Sequence, residues 1–142
     1  MEYGIQAIFG IGLLAVGAAT AYYYVAQRKR NRQLLENITR GKQALSDDDY
    51  FSQYFAGTET PKEVVTGIRQ ILTEETGIDF TKISAHEDLG SDLPKILDGM
   101  DLVETVMRIE SEFNVTITDT EAEKARSVYD LARLVARKTM TR

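Results

Sequence analysis

Residues 88–113 read DLGSDLPKILDGMDLVETVMRIESEF, and the two ends of this stretch obey different rules. From Leu102 onward, apolar side chains return at helical spacing: Leu102, Val103, Val106, Ile109 and Phe113. That spacing predicts an amphipathic helix that runs to about Phe113, with Asp98 able to cap its start. Ahead of it, Gly90 and Pro94 interrupt any regular pattern. Residues 78–97 therefore read as a long loop, anchored by Ile78, Phe80, Ile83 and Leu89. A loop of that length in a small domain usually has a function. On the outer side of the helix, Asp101, Glu104 and Met107 step by three and share a face, which Glu110 extends.

The flanks complete a helical domain. Thr60-Pro61-x-Glu63 reads as a helix start, with Thr60 as the cap and Pro61 in the first helical position. Val64, Val65, Ile68, Ile71 and Leu72 fill one face, and Gly77 closes the helix. Beyond the central helix, Thr118 and Glu121 form a capping pair for a short helix ending near Arg126. Ser127 starts the last helix, with Val128, Leu131, Leu134 and Val135 facing inward. Residues 61–142 are thus expected to be all-α: helix, long loop, helix, short helix, helix.

With the helices in this order, the domain resembles an acyl carrier protein. PKEVVTGIRQILTEETGIDFTKISAHEDLG is similar to the opening half of that family, and MRIESEFNVTITDTEAEKARSVYDLARLV to the closing half. The resemblance covers roughly residues 61–138 and implies a four-helix bundle. In that family a DSL triplet opens the second helix. Its serine carries phosphopantetheine through a phosphodiester, and the thiol end holds the acyl group. Here Asp98-Gly99-Met100 stands in that place, and extra residues around Leu93 to Leu97 precede it. Gly99 has no side-chain oxygen to esterify, so the attachment position is degenerate. The resemblance then implies the fold without the carrier activity, and no cofactor is expected. The alternative is a genuine acyl carrier loaded at Ser91, directly after DLG, that serves membrane-bound acyl-transfer enzymes. In carriers the second helix presents acids to basic patches on enzymes. The matching partner-binding residues here are Asp101, Glu104, Met107 and Glu110.

The front of the chain differs in kind. Residues 1–42 hold six Lys/Arg against two Glu, a net +4, whereas residues 43–142 hold eleven against twenty acids, a net −9. Tyr3 to Ala26 is 24 residues without a formal charge. As a helix it would run about 36 Å, enough to cross a hydrocarbon core of roughly 30 Å with some tilt. Tyr22, Tyr23 and Tyr24 then form an interfacial anchor, followed by Arg28, Lys29, Arg30 and Arg32. By the positive-inside rule these basic residues face the cytoplasm, and the N-terminus lies outside. A signal peptide would carry its positive charge before the apolar run, not after it.

The expected organisation is a transmembrane helix over residues 1–26, a juxtamembrane helix and linker over 27–60, and the carrier-like bundle over 61–142. The juxtamembrane helix stops near Gly41. Within the linker, Ser46 starts a short helix with one aromatic face: Tyr50, Phe51, Tyr54 and Phe55. That face packs either on its own domain or on a partner; the sequence leaves both open.

The chain has no Cys and a single His, His86, so thiolate chemistry is excluded and a metal site is not expected. No catalytic constellation appears, and the acidic body argues against nucleic acid. The resulting expectation is a single-pass protein of a bacterial inner membrane with its C-terminal domain in the cytoplasm. It would act as a non-catalytic adaptor or accessory subunit without phosphopantetheine. Through its acidic helix it would grip a partner with a basic patch, within a membrane complex.

Overall fold

The structure is a computed structural model of the chain. It describes the backbone of residues 2–90 and 99–141; the side chains of residues 2–15, 28, 31, 35 and 99–102 lie outside the description. Every regular element among the described residues is helical. The chain divides into two compact units, Met1–Glu36 and Asn37–Arg142.

Helix α1, Glu2–Thr39, supplies the first unit. Val16, Tyr22, Tyr23, Tyr24 and Val25 are all exposed on it, as are Lys29, Arg30 and Arg32. Thr20 donates its hydroxyl to the Val16 carbonyl at 2.7 Å, so the hydroxyl is satisfied within the helix. Among the described residues no helix is long and apolar enough to cross a membrane. Much of the apolar run behind the transmembrane expectation, up to Ala15, has its side chains outside the described residues, as has Arg28. Gly41, at φ +70°, ends the helical path, a backbone state that glycine adopts without a Cβ penalty.

The second unit is a bundle of α3 (Lys62–Thr76), α4 (Gly99–Phe113), α5 (Asp119–Lys124) and α6 (Val128–Met140), with α2 (Asp47–Tyr54) added in front. Helix α3 packs against both α4 and α6. Its face of Val64, Val65, Ile68, Ile71 and Leu72 is buried as the periodicity required. Gly67 lets α4 come close, because a Cβ there would lie 2.8 Å from the Phe113 ring. Gly77, at φ +70°, closes α3. Ile78, Phe80, Ile83 and Leu89 are all buried and pin the following segment to the bundle. Thr118 and Glu121 form a reciprocal capping box on α5, and Ser127 caps α6 by accepting the Asp130 N–H at 3.1 Å.

Two expectations change. Thr60 does not cap α3. Pro61 takes that place, its carbonyl accepting from Val64 and Val65 at 3.1 and 3.3 Å. Proline suits the position because its fixed φ matches and it has no N–H to satisfy there. Thr60 is buried instead, with its amide directed at the Thr58 hydroxyl. Val103 is also not inward: it is 55 % exposed, beside Met107 at 60 %. The buried stripe of α4 runs through Thr105 and Ile109, one helical turn apart, and residue 103 falls on the other side.

The aromatic face of α2 packs on its own unit. Tyr50 and Phe55 are fully buried. Phe55 stacks on Tyr129 of α6 at 5.2 Å, and Tyr50 meets Tyr54 edge-on at 4.9 Å. The buried Arg69 guanidinium lies 3.8 Å over the Tyr50 ring. The same arginine donates to Asp47 at 2.8 Å and to the Leu45 carbonyl at 3.1 Å, tying α2 to α3. Among the described residues the Tyr50 hydroxyl has no hydrogen-bond partner. Burial pushes that phenol far above its ordinary value, with the Arg69 charge pulling the other way.

Candidate functional site

The DLG triplet is built into the bundle by one arginine. Leu89 is buried and donates its N–H to the Arg126 carbonyl at 2.7 Å. The Arg126 side chain returns the contact: Nε and Nη2 reach Asp88 Oδ2 at 3.2 and 3.0 Å. The other Asp88 oxygen accepts the Gly90 N–H at 2.9 Å. Arg126 and that N–H hold the Asp88 carboxyl below its ordinary range. A Cβ on Gly90 would lie 2.7 Å from Arg126 Cζ and 2.9 Å from Nη1, so any larger residue there would shift the guanidinium. The Arg126 amide in turn donates to Asp130 Oδ2 at 3.2 Å, so this residue is fixed from both sides.

Behind Gly90 and Arg126 lies a cavity of 590 Å³. Its walls are mainly apolar, from Leu72, Leu89, Val106, Val128 and Leu131. Among the described residues that line it, Ser127 has the one hydroxyl, and that oxygen is occupied as the cap of α6. The cavity can take an aliphatic chain, because apolar surface leaves water there at about 25 cal/mol per Å².

The residues singled out in the sequence are placed as follows. Gly99 is the first residue of α4. Ser91, Asp92 and Asp98 lie outside the described residues, as does the side chain of Asp101. Glu104 and Met107 are exposed on α4. Glu110 is half-buried, and its Oε1 accepts the Ile117 N–H at 2.6 Å, holding the turn after α4. Arg108, which interrupts the acidic face in sequence, pairs with Glu74 and Glu75 of α3. His86 lies tilted against Tyr129, with ring centroids 4.4 Å apart, and Glu87 pairs with Lys42.

The family model described as "Phosphopantetheine attachment site" matches residues 66–135. An acyl carrier protein of Bdellovibrio bacteriovorus is 37% identical over 71 residues, 50% of this chain and 88% of that protein. The chain belongs to the acyl carrier protein family. An acyl carrier protein of Thermotoga maritima is 32% identical over 77 residues, 54% of this chain and 93% of its own length. A third, from Clostridium acetobutylicum, is 35% identical over 68 residues, 48% and 86% of the two chains.

These matches contradict the expectation of an adaptor without phosphopantetheine. That expectation rested on one missing oxygen at Gly99. The match to the attachment-site family, and relatives that are themselves named acyl carrier proteins, support a genuine acyl carrier. Sequence reading also missed Arg126. It stands 38 residues from Asp88, and no local periodicity marks the pair.

Proposed function

We propose that this chain is an acyl carrier that bears phosphopantetheine on Ser91. The observation that carries the reading is the apolar 590 Å³ cavity lined by Gly90, the residue one peptide bond before Ser91. Gly99 offers no nucleophile, and Ser127 is engaged as a cap. The prosthetic arm supplies a thiol that holds an acyl group as a thioester. The chain's own residues then shelter that group: Leu72, Val106 and Leu131 keep water from an aliphatic tail, each buried methylene contributing about 0.8 kcal/mol. The test is intact-mass measurement after coexpression with a phosphopantetheinyl transferase. One arm should be found on the wild-type chain and none on Ser91→Ala. An unmodified wild-type chain, or a Ser91→Ala chain still loaded, would overturn the assignment.

The acidic side of α4, with Asp101, Glu104 and Met107, is the part that meets the enzymes using the carrier. Such a field speeds the encounter with a basic partner more than it tightens the complex. Helix α1 is the membrane anchor in this reading, with the second unit on the cytoplasmic side of a bacterial inner membrane. The uncharged run Tyr3–Ala26 and the basic block after it support that reading. Alkaline carbonate extraction should leave the chain in the membrane pellet; release into the supernatant would contradict the anchor.

A further inference from the structure

The last helix carries a charge opposite to that of its unit. Residues 131–142 hold four cations and no acid, although residues 43–142 together have a net −9. Lys138 is occupied by Glu121 at 2.9 Å. Arg133 and Arg137 are exposed, lie one turn apart on the same face of α6, and take part in no ion pair among the described residues. A helix dipole favours cations in the last turn, which accounts for Arg137 and not for Arg133. The two arginines line an open depression of 300 Å³ between α6 and residues 57–60. Thr58, Glu59, Tyr129 and Met140 line it as well. The Arg133 guanidinium lies 5.6 Å over the Tyr129 ring, and that ring is stacked on the buried Phe55, so the arginine rests on a fixed surface. Met140 is 55 % exposed beside it.

We propose that Arg133, Arg137 and Met140 form a site for the headgroup of an anionic phospholipid. This rests on the membrane-anchor reading above. Guanidinium forks suit phosphate oxygens, and the exposed thioether suits the apolar part of a lipid; free phosphate has no use for Met140. The chain itself keeps such a surface near. Residues 40–46, which join α1 to α2, span at most about 25 Å. The polar end of α1, residues 27–39, adds about 20 Å. A unit tethered so closely meets the bilayer at high effective concentration. An anionic surface gives each nearby Lys or Arg about a fivefold gain in binding. The same surface repels Glu104 and the other acids of the unit, so engagement through α6 leaves them to soluble partners.

The experiment uses the full-length chain in phosphatidylcholine vesicles, with and without phosphatidylglycerol, and flotation checks that the chain is held. Thr141→Cys gives a single exposed thiol, because the chain has no other Cys, and it takes an environment-sensitive dye. The dye emission should shift to the blue with phosphatidylglycerol, and raised salt should reverse the shift. Arg133→Gln with Arg137→Gln should lower the ratio of engaged to free probe about 25-fold, two fivefold losses. Both side chains are exposed, and circular dichroism checks that the bundle is intact. Glu59→Gln should raise the ratio, because it removes the carboxylate that opposes an anion there. A vesicle-held chain whose dye ignores phosphatidylglycerol, or responds equally in the double variant, would overturn the lipid site and leave the anchor standing. An equal shift produced by inorganic phosphate on phosphatidylcholine vesicles would overturn the lipid assignment. A chain that floats only with phosphatidylglycerol, and not as the double variant, would overturn the anchor and keep the site. A chain that floats with neither would overturn both.

Discussion

Replacing Phe55 by alanine tests whether α2 is an integral part of the carrier unit. Phe55 is fully buried, stacked on Tyr129 at 5.2 Å and on Phe51 at 6.2 Å, with Tyr50 at 6.4 Å. A buried phenylalanine cut to alanine in a well-packed site costs about 3–5 kcal/mol. The ring contact with Tyr129 accounts for about 1 kcal/mol of that. The loss has a ceiling, however. Helix α2 has eight residues, too few to persist in water without packing. Once the mutation costs more than the docking of α2 is worth, the helix detaches and the bundle pays nothing further. Phe55→Ala should therefore lower the stability of the second unit by about 3 kcal/mol, and by no more than the docking of α2 contributes, in urea titrations of the chain. Amides of residues 47–54 should exchange faster. Tyr50→Ala added on top should cost less than it does alone, with a coupling above about 0.5 kcal/mol. A loss below about 1 kcal/mol, with additive effects of the two substitutions, would refute the packing of α2 described here.

Acid should weaken the capping box of α5. The Thr118 N–H, and then the Lys138 ammonium, hold the Glu121 carboxyl down to about 2, against an ordinary 4.5. Its contribution is complete above about 4.5 and is lost as pH falls through about 2. Glu121→Gln should flatten the fall in stability across that window, and an unchanged slope would argue against the box. Glu74 and Asp88, held low by Gln70, Arg108 and Arg126, contribute in the same direction and remain in the variant. For the cavity, an octanoyl thioester on the arm should raise the melting temperature of the wild type. Leu131→Phe, which fills part of the 590 Å³, should abolish that gain; an undiminished gain would place the acyl chain elsewhere. On α4, Glu104→Lys should slow modification by a basic transferase mainly through the association rate, most at low ionic strength. A rate that does not respond would move the docking face off α4.

The bundle was legible because its signals are local. Ser46, Gly77, Thr118 with Glu121, and Ser127 each declare a helix end within four residues, and each is found doing so. The stripe of α3 followed from spacing alone. What escaped depends on partners far away in sequence. Arg69 looks like a surface cation until Tyr50, Asp47 and Leu45 are brought to it. Val103 looks like core until Thr105 is seen to occupy the buried line. Arg126 joins Asp88 only through the fold. Gly99 misleads for a related reason: it lacks the attachment oxygen, whereas the family match runs across it over residues 66–135. The segment that holds Ser91 carries no periodicity from which its role could be read.

Mass spectrometry of the native chain, purified from the cells that make it and digested to peptides, tests the account most directly. A phosphopantetheine arm on the peptide containing Ser91 is the expected result. An intact mass equal to that of the bare sequence, or an arm mapped to any other residue, would contradict it.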